Sequence, residues 1–322
     1  MTRWRPAATT DVDRLTALFA ACEQADPVGL DVDPDQFRAR LALPGLDLAR
    51  DTLVAEDAAG RLVAYAEVAD MGPGPGVLRI RLTSAIDPSA RDTATPHVHD
   101  WLNDRAAQLR RERRPDLPGM LGTRCGASDQ RRLDLLTAAG FAAVRWEQTL
   151  VRDLDQPVPS APAPAGVSLV PFDPRYDEQT RLTHNEAYAD SPTAMIPGRE
   201  SWPAHATGLP AFLPEASVLA LASDGPDGNP VVGFLFTLDH VDARGRAAAL
   251  LHCLGTRPAW QGRGVASAMI AQTLVTSREA GHRRAELHVG SDNGVAVRLY
   301  ARLGFSDTGR GHAILTRQLP AD

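Results

Sequence analysis

The chain has 322 residues, 43% of them hydrophobic and 23% charged, with a net charge of −6. That length exceeds one ordinary core and points to two globular domains, while the negative balance speaks against a broad basic face for nucleic acid. Three cysteines, none in a CxxC pair, give no zinc site and no disulfide framework, and they fit a reducing cytoplasm.

From the N-terminus, MTRWRPAATTDVDRL lacks the apolar region of a signal peptide, and no uninterrupted apolar run approaches the roughly 18 residues of a membrane span. His97-x-His99 has no third ligand nearby in sequence, so no metal is expected. RRERR (110–114) reads as a solvated helix end. DQPVPSAPAPAG (155–166) is rich in proline and alanine and reads as a stiff linker. It divides the chain into expected domains at 1–154 and 167–322.

The two halves resemble each other. CGASDQRRLDLLTAAGF (125–141) aligns without gaps, at an offset of 164, with VGSDNGVAVRLYARLGF (289–305). Upstream, RLVAYAEV (61–68) resembles PVVGFLFTL (230–238). Two copies of one fold explain this economically.

In the second half, 167–172 reads as a strand, and 174–190 and 199–207 read as helices around the loop SPTAMIPG. Strands follow at 217–223, 231–240 and 247–255, joined by the turn-rich segments SDGPDGNP and DARGR. A helix over 263–280 stops at Gly281, then come a strand at 284–289, a helix at 293–302 and a strand at 312–319. Antiparallel strands first and a strand–helix tail last predict an α/β fold with a mixed sheet and helices on both faces.

GRGVAS (262–267) comes one residue short of a dinucleotide fingerprint, with Glu286 placed 24 residues past Gly262. TRPAWQ separates it from the preceding strand, however, and the dinucleotide turn needs its first glycine at the strand's end. The longer stretch LHCLGTRPAWQGRGVASAMI is a strand, a proline turn and then Q-G-R-G-V-A opening a helix. A helix N-terminus carries unpaired N–H donors and a partial positive charge, which suits a phosphate. This stretch resembles motif A of the GCN5-related N-acetyltransferases (GNAT), Q/R-x-x-G-x-G/A, at Gln261, Gly264 and Ala266. Asn293, Ala296, Tyr300, Gly304 and Phe305 fill the family's later frame, N-x-x-A-x-x-x-Y-x-x-x-G-F.

The resemblance implies two tandem GNAT-like domains, each a mostly antiparallel sheet flanked by helices, and acetyl-CoA as cofactor. It implies that Gln261, Gly262, Arg263, Gly264, Val265 and Ala266 hold the coenzyme A diphosphate, with Asn293 and Tyr300 beside it. Leu254 and Thr256 pair with the pantetheine arm, and an N–H near Leu254 polarises the thioester carbonyl. Tyr300 serves the departing thiolate. In the first copy, SARDTATP (89–96) replaces the phosphate turn, Ala94 and Pro96 stand for Gly264 and Ala266, and Leu136 stands for Tyr300. One competent site is therefore expected, in 167–322. A tandem with a degenerate first copy resembles the mycothiol synthase family in architecture. Where that family has an acidic base before motif A, this chain has Leu250.

Three residues are candidate bases: His288, His252 on the neighbouring strand, facing the side of Leu250 and Leu254, and Glu286, which shares parity with His288; a water chain or a substrate that arrives neutral are the alternatives. Cys253 is expected on the opposite face from His252, as a packing residue. HNEAYADSPTAMIPGRESW (184–202) is expected to contact substrate through Asn185, Glu186, Tyr188, Asp190 and Trp202. The expected activity is acetyl transfer to a primary amine of a small molecule or peptide. A non-catalytic acyl-CoA sensor or scaffold is the alternative. Neither nucleic acid nor membrane is expected as a partner, and the chain is expected as a monomer or homodimer.

Overall fold

A computed structural model describes residues 2–26, 34–42, 45–74, 76–189, 196–205, 207–209, 211–223, 228, 230–241 and 246–321. Asp190, and most of SDGPDGNP and DARGR, lie outside them. The chain forms two compact units: residues 1–148 with 310–322, and residues 149–309.

The first unit contains β1 (Arg3–Arg5), α1 (Val12–Ala25), α2 (Pro34–Leu41), α3 (Leu48–Asp51), β2 (Thr52–Glu56), β3 (Leu62–Gly74), β4 (Val77–Ile86), α4 (Arg91–Arg113), β5 (Gly119–Gly126) and α5 (Gln130–Ala138). β1 to β4 pair antiparallel in chain order, and β4 then pairs parallel with β5 at Leu78–Arg81 and Gly119–Gly122. One core joins Val68, Ile80, Leu102, Leu109 and Leu121, and a second joins Leu15, Phe19, Phe37 and Tyr65.

The second unit contains β7 (Val167–Pro171), α6 (Asp177–Ala187), α7 (Trp202–His205), β8 (Val218–Ala222), β9 (Val231–Val241), β10 (Ala247–Thr256), α8 (Val265–Glu279), β11 (Arg284–Gly290) and α9 (Gly294–Arg302). β7 to β10 are antiparallel neighbours, and β10 pairs parallel with β11. α8 buries Val265, Met269, Ile270 and Leu274 against Leu235, Leu251, Leu287 and Val289 on one face of the sheet. On the other, Phe172, Trp202, Phe234 and Phe236 pack with Tyr188 and Cys253.

The repeat is visible in local detail. Asp129 caps α5 by accepting from Arg132 N (3.0 Å), and Asn293 caps α9 by accepting from Ala296 N (3.1 Å). These residues lie at the same offset as the sequence repeat, so the mixed sheet and its capping helices occur twice.

The units do not follow the expected boundaries. β6 (Ala142–Asp153) gives its first residues to the first unit and Thr149–Asp153 to the second. β12 (Ser306–Leu319) starts earlier than the predicted strand at 312, and its residues from Arg310 onward belong to the first unit, where His312–Leu319 pairs antiparallel with β5. The proline-rich segment is not a spacer: Val158 and Ala161 pack on the second unit's core, and Pro157 O accepts from Arg152 Nη2 (2.7 Å). Composition marks where a chain is extended. It does not mark which sheet edge completes its hydrogen bonds.

Two further expectations change. Arg110, within the predicted solvated run, is 1% exposed, and its Nη1 donates to Pro115 O (3.2 Å) and Leu117 O (3.3 Å). SARDTATP is not a turn: a 3-10 turn at Pro88–Ala90 runs directly into α4, so Ala94 and Pro96 are helical. Without glycines to take positive φ, the backbone continues in the right-handed region. Among the described residues no helix is long and apolar enough to cross a membrane.

Candidate active site

The pairing of β10 decides the geometry. β9 runs beside it antiparallel from Ala247↔Val241 to Thr256↔Gly233, with a register shift between Leu251 and Cys253. His252 is the extra residue of a β-bulge. On the other side, β11 pairs with β10 at Ala249↔Ala285 and Leu250↔Glu286, and among the described residues no farther. Arg257 N–H donates to Val232 O (3.0 Å). By the two-residue repeat, the backbone groups of Gly255 also face β9, and those of Leu254 and Thr256 face the edge that β11 has left. Both edge carbonyls are capped by side chains: Tyr188 Oη donates to Leu254 O (2.7 Å), and Gln261 Nε2 donates to Thr256 O (3.1 Å).

Beyond that edge the chain makes a 3-10 turn at Pro258–Trp260, extends at Gln261 and passes Gly262 (φ 73°) and Gly264 (φ 91°) into α8. Both glycines are in the left-handed region, which disfavours any other residue there. A Cβ on either would meet nothing within 4 Å, so the space before the helix is open. Val265, Ala266 and Ser267 form the first turn of α8, whose N–H groups have no intrahelical acceptor. The Arg263 guanidinium lies 4.9 Å from the centre of the Trp260 ring. Arg257, just before the 3-10 turn, is 5% exposed and pairs with Glu186 (2.5 Å).

Tyr300 lies on the buried face of α9, 8% exposed, with its ring 5.7 Å from that of Phe305. Burial, and secondarily Cys253, push its hydroxyl up to about 12. Burial pushes the Cys253 thiol up to about 11, and Cys253 Sγ lies 3.6 Å from Tyr188 Oη. Tyr188, Cys253 and Tyr300 thus share one electrostatic neighbourhood. Sequence alternation placed Cys253 opposite Leu254, as found, but treated it as packing alone. The bulge also interrupts the expected common face of residues 250, 252 and 254: Leu251 and Leu254 both join the α8-side core.

The three candidate bases have different surroundings. His252 is exposed in the bulge. His288 is half-buried on β11, its Nδ1 3.2 Å from Thr149 Oγ1. Glu286 is 1% exposed, opposite Leu250. Thr149 was invisible to sequence reasoning, since nothing local ties it to a strand 139 residues away.

The expected substrate residues do not form one constellation. Asn185 Nδ2 donates to Pro197 O (3.1 Å), and its Oδ1 lies 3.1 Å from His184 Nδ1. Trp202 is buried, with Nε1 donating to Asp177 Oδ1 (2.7 Å). Glu186 and Tyr188 lie at or just beyond the end of α6, one reaching Arg257 and the other β10.

An open strand edge with backbone groups facing outward, leading to a glycine turn at a helix N-terminus, fits an extended arm ending in a diphosphate. The comparisons with known proteins agree. The model of the acetyltransferase (GNAT) family matches residues 183–305. Mycothiol acetyltransferase from Arthrobacter sp. (strain FB24) is 30% identical over 270 residues, covering 83% of this chain and 76% of that protein. The same enzyme from Paenarthrobacter aurescens (strain TC1) is 31% identical over 268 residues, covering 79% and 73%. Among solved structures, a GCN5-related N-acetyltransferase from Sphaerobacter thermophilus shares the fold with a TM-score of 0.78 at 22% identity, covering 100% of this chain and 97% of that one. A tandem GNAT protein from the clavulanic acid biosynthesis pathway does so at 0.70 and 18%, covering 100% of both. The chain belongs to the acetyltransferase (GNAT) family. It is a tandem N-acetyltransferase, and its acyl donor is acetyl-CoA.

Proposed function

We propose that the second unit alone is catalytic and transfers the acetyl group to a primary amine of a small molecule or peptide, by direct attack in a ternary complex. The observation that carries this reading is the coincidence, in one unit, of the free edge of β10, the positive-φ glycine turn and Tyr300. Bound there, acetyl-CoA supplies an activated thioester. The amides from Gly262 to Ala266 hold its diphosphate, with Gln261, Arg263 and Asn293 shaping the turn and the start of α9. Leu254 and Thr256 receive the arm, and the Leu254 N–H faces the thioester oxygen.

An alkylamine of pKa about 10.4 is charged at pH 7, a handicap of roughly 4–5 kcal/mol. A positioned base offsets part of it, typically by about 10²–10⁴-fold. His288 takes this role: its ring is oriented through Thr149, and histidine is the side chain most often used as a general base. His252, in the bulge, and Glu286, acting through water, are the alternatives. With its hydroxyl near 12, Tyr300 is a weaker acid than a thiol of about 8.5, so it stabilises the departing sulfur by donating a hydrogen bond and keeps its proton. Of the residues expected to contact the acceptor, Glu186 and Tyr188 stand nearest β10, while Trp202 is committed to the core and Asn185 to the Pro197 carbonyl.

In the first unit Leu136 stands in place of Tyr300, and no glycine turn precedes α4. Calorimetry should give one acetyl-CoA per chain, and two equivalent sites would refute the assignment. A thiol-release assay with simple amines, aminoglycosides and peptides tests the activity. Tight acetyl-CoA binding without turnover on any amine would favour the sensor reading.

A further inference from the structure

We propose that Tyr188 is a positioning residue for acyl transfer: its hydroxyl fixes Leu254 so that the Leu254 N–H stands aligned on the open edge of β10 to receive the charge developing on the thioester oxygen. The proposal rests on the reading that acetyl-CoA lies along this edge. A strand that loses its neighbour also loses the hydrogen bonds that hold its peptide planes in line. β10 loses β11 after Leu250, and the loss falls next to the bulge at His252, where the backbone is least regular.

One phenol grips both residues that follow. Tyr188 Oη donates to Leu254 O at 2.7 Å and lies 3.6 Å from Cys253 Sγ, the group placed to donate back to it. The peptide plane carrying the Leu254 N–H joins these two residues, so both of its ends are tethered. The phenol is itself fixed: its ring packs in the aromatic cluster, 4.8 Å from that of His184. Burial pushes its hydroxyl well above the usual tyrosine range, which keeps it a neutral donor at any working pH. Gln261 holds the next edge carbonyl, that of Thr256, in the same way. With its carbonyl taken, Leu254 presents its N–H to the cleft. A donor aligned before reaction acts on the transition state more than on the bound thioester, because charge develops only there.

The test uses the full chain with Tyr188→Phe, which keeps the ring. Four quantities are measured: melting temperature, acetyl-CoA affinity by calorimetry, kcat, and the infrared band of the bound ¹³C-labelled thioester carbonyl. The expected result is an affinity within about threefold of wild type, kcat lower by about tenfold or more, and a carbonyl band moved back toward its position in free solution. Cys253→Ala, which removes one of the two tethers, should show the same split more weakly, about threefold in kcat. Unchanged kcat and band in both variants, with acetyl-CoA still bound, overturns the role of Tyr188 and leaves the edge reading intact. No band shift on binding to the wild type overturns the edge reading and this proposal with it.

Discussion

A phenol and a phenyl ring differ by one hydroxyl, and at position 300 the role proposed for the residue rests on that hydroxyl alone. Tyr300 packs with Leu303 and Phe305 in the unit's core, so Tyr300→Phe keeps the apolar contacts. Its melting temperature is expected within a few degrees of wild type. If the hydroxyl stabilises the departing sulfur, kcat should fall by about 10²-fold, comparable to loss of an oriented donor elsewhere. Turnover within twofold or threefold would assign Tyr300 to packing. This residue was legible in sequence because its spacing from Asn293 and Gly304 lies within one helix and its cap. Thr149 beside His288 was not legible, because the contact crosses strands far apart in the chain.

Elements, more than residues, hold the proposed diphosphate site. The first turn of α8 needs a backbone that arrives from β10, turns back and exposes its amides, and Gly262 and Gly264 make that path by adopting positive φ. Gly264→Val should cost about 1–3 kcal/mol, since a β-branched residue is strained at φ 91°. It should also weaken acetyl-CoA binding at least tenfold by calorimetry. Wild-type affinity in this variant would place the diphosphate elsewhere. The first unit serves as an internal comparison: the same strand and 3-10 turn precede α4, but without glycines the helix begins at once. The sequence repeat located this difference correctly yet misjudged its form, because an alignment pairs residues and does not report when a turn has been replaced by helix.

For the whole molecule, the exchange of terminal strands sets what can fold. A fragment cut at the proline-rich segment, residues 1–154, lacks His312–Leu319, the strand that pairs with β5 and buries Ala313 and Leu315 in the first unit. It should give an unstable or aggregating product by circular dichroism and size-exclusion chromatography, because β5 is left as an unpaired edge. A cooperative, monomeric fragment would refute this.

The first unit also contains a buried charge network. Arg40 Nε and Nη2 each reach a Glu67 oxygen at 2.8 Å, Tyr65 Oη donates to Glu67 Oε2 at 2.7 Å, and Arg81 Nη2 lies 3.3 Å from Oε1. Burial alone would push the Glu67 carboxyl up, but the two arginines and Tyr65 hold it down to about 2. Its folded value lies below the unfolded one, so its stabilisation is present above about pH 4.5 and is lost as pH falls toward 2. Glu67→Gln should cost about 1–3 kcal/mol at pH 7 in urea unfolding, leaving two half-buried guanidinium groups without their carboxylate. The gap to wild type should shrink between pH 5 and pH 2. A pH-independent gap would argue against the network.

The sequence by itself determined the two copies of the α/β pattern and the glycine turn that opens α8: the first is read by aligning two stretches of the chain, the second from residues within one turn. Only the tertiary structure decided where β12 pairs, where β10 bulges and parts from β11, and which phenol holds the freed carbonyl. A strand's hydrogen-bond partners are chosen by the edge it meets, and no local pattern records which edge that is.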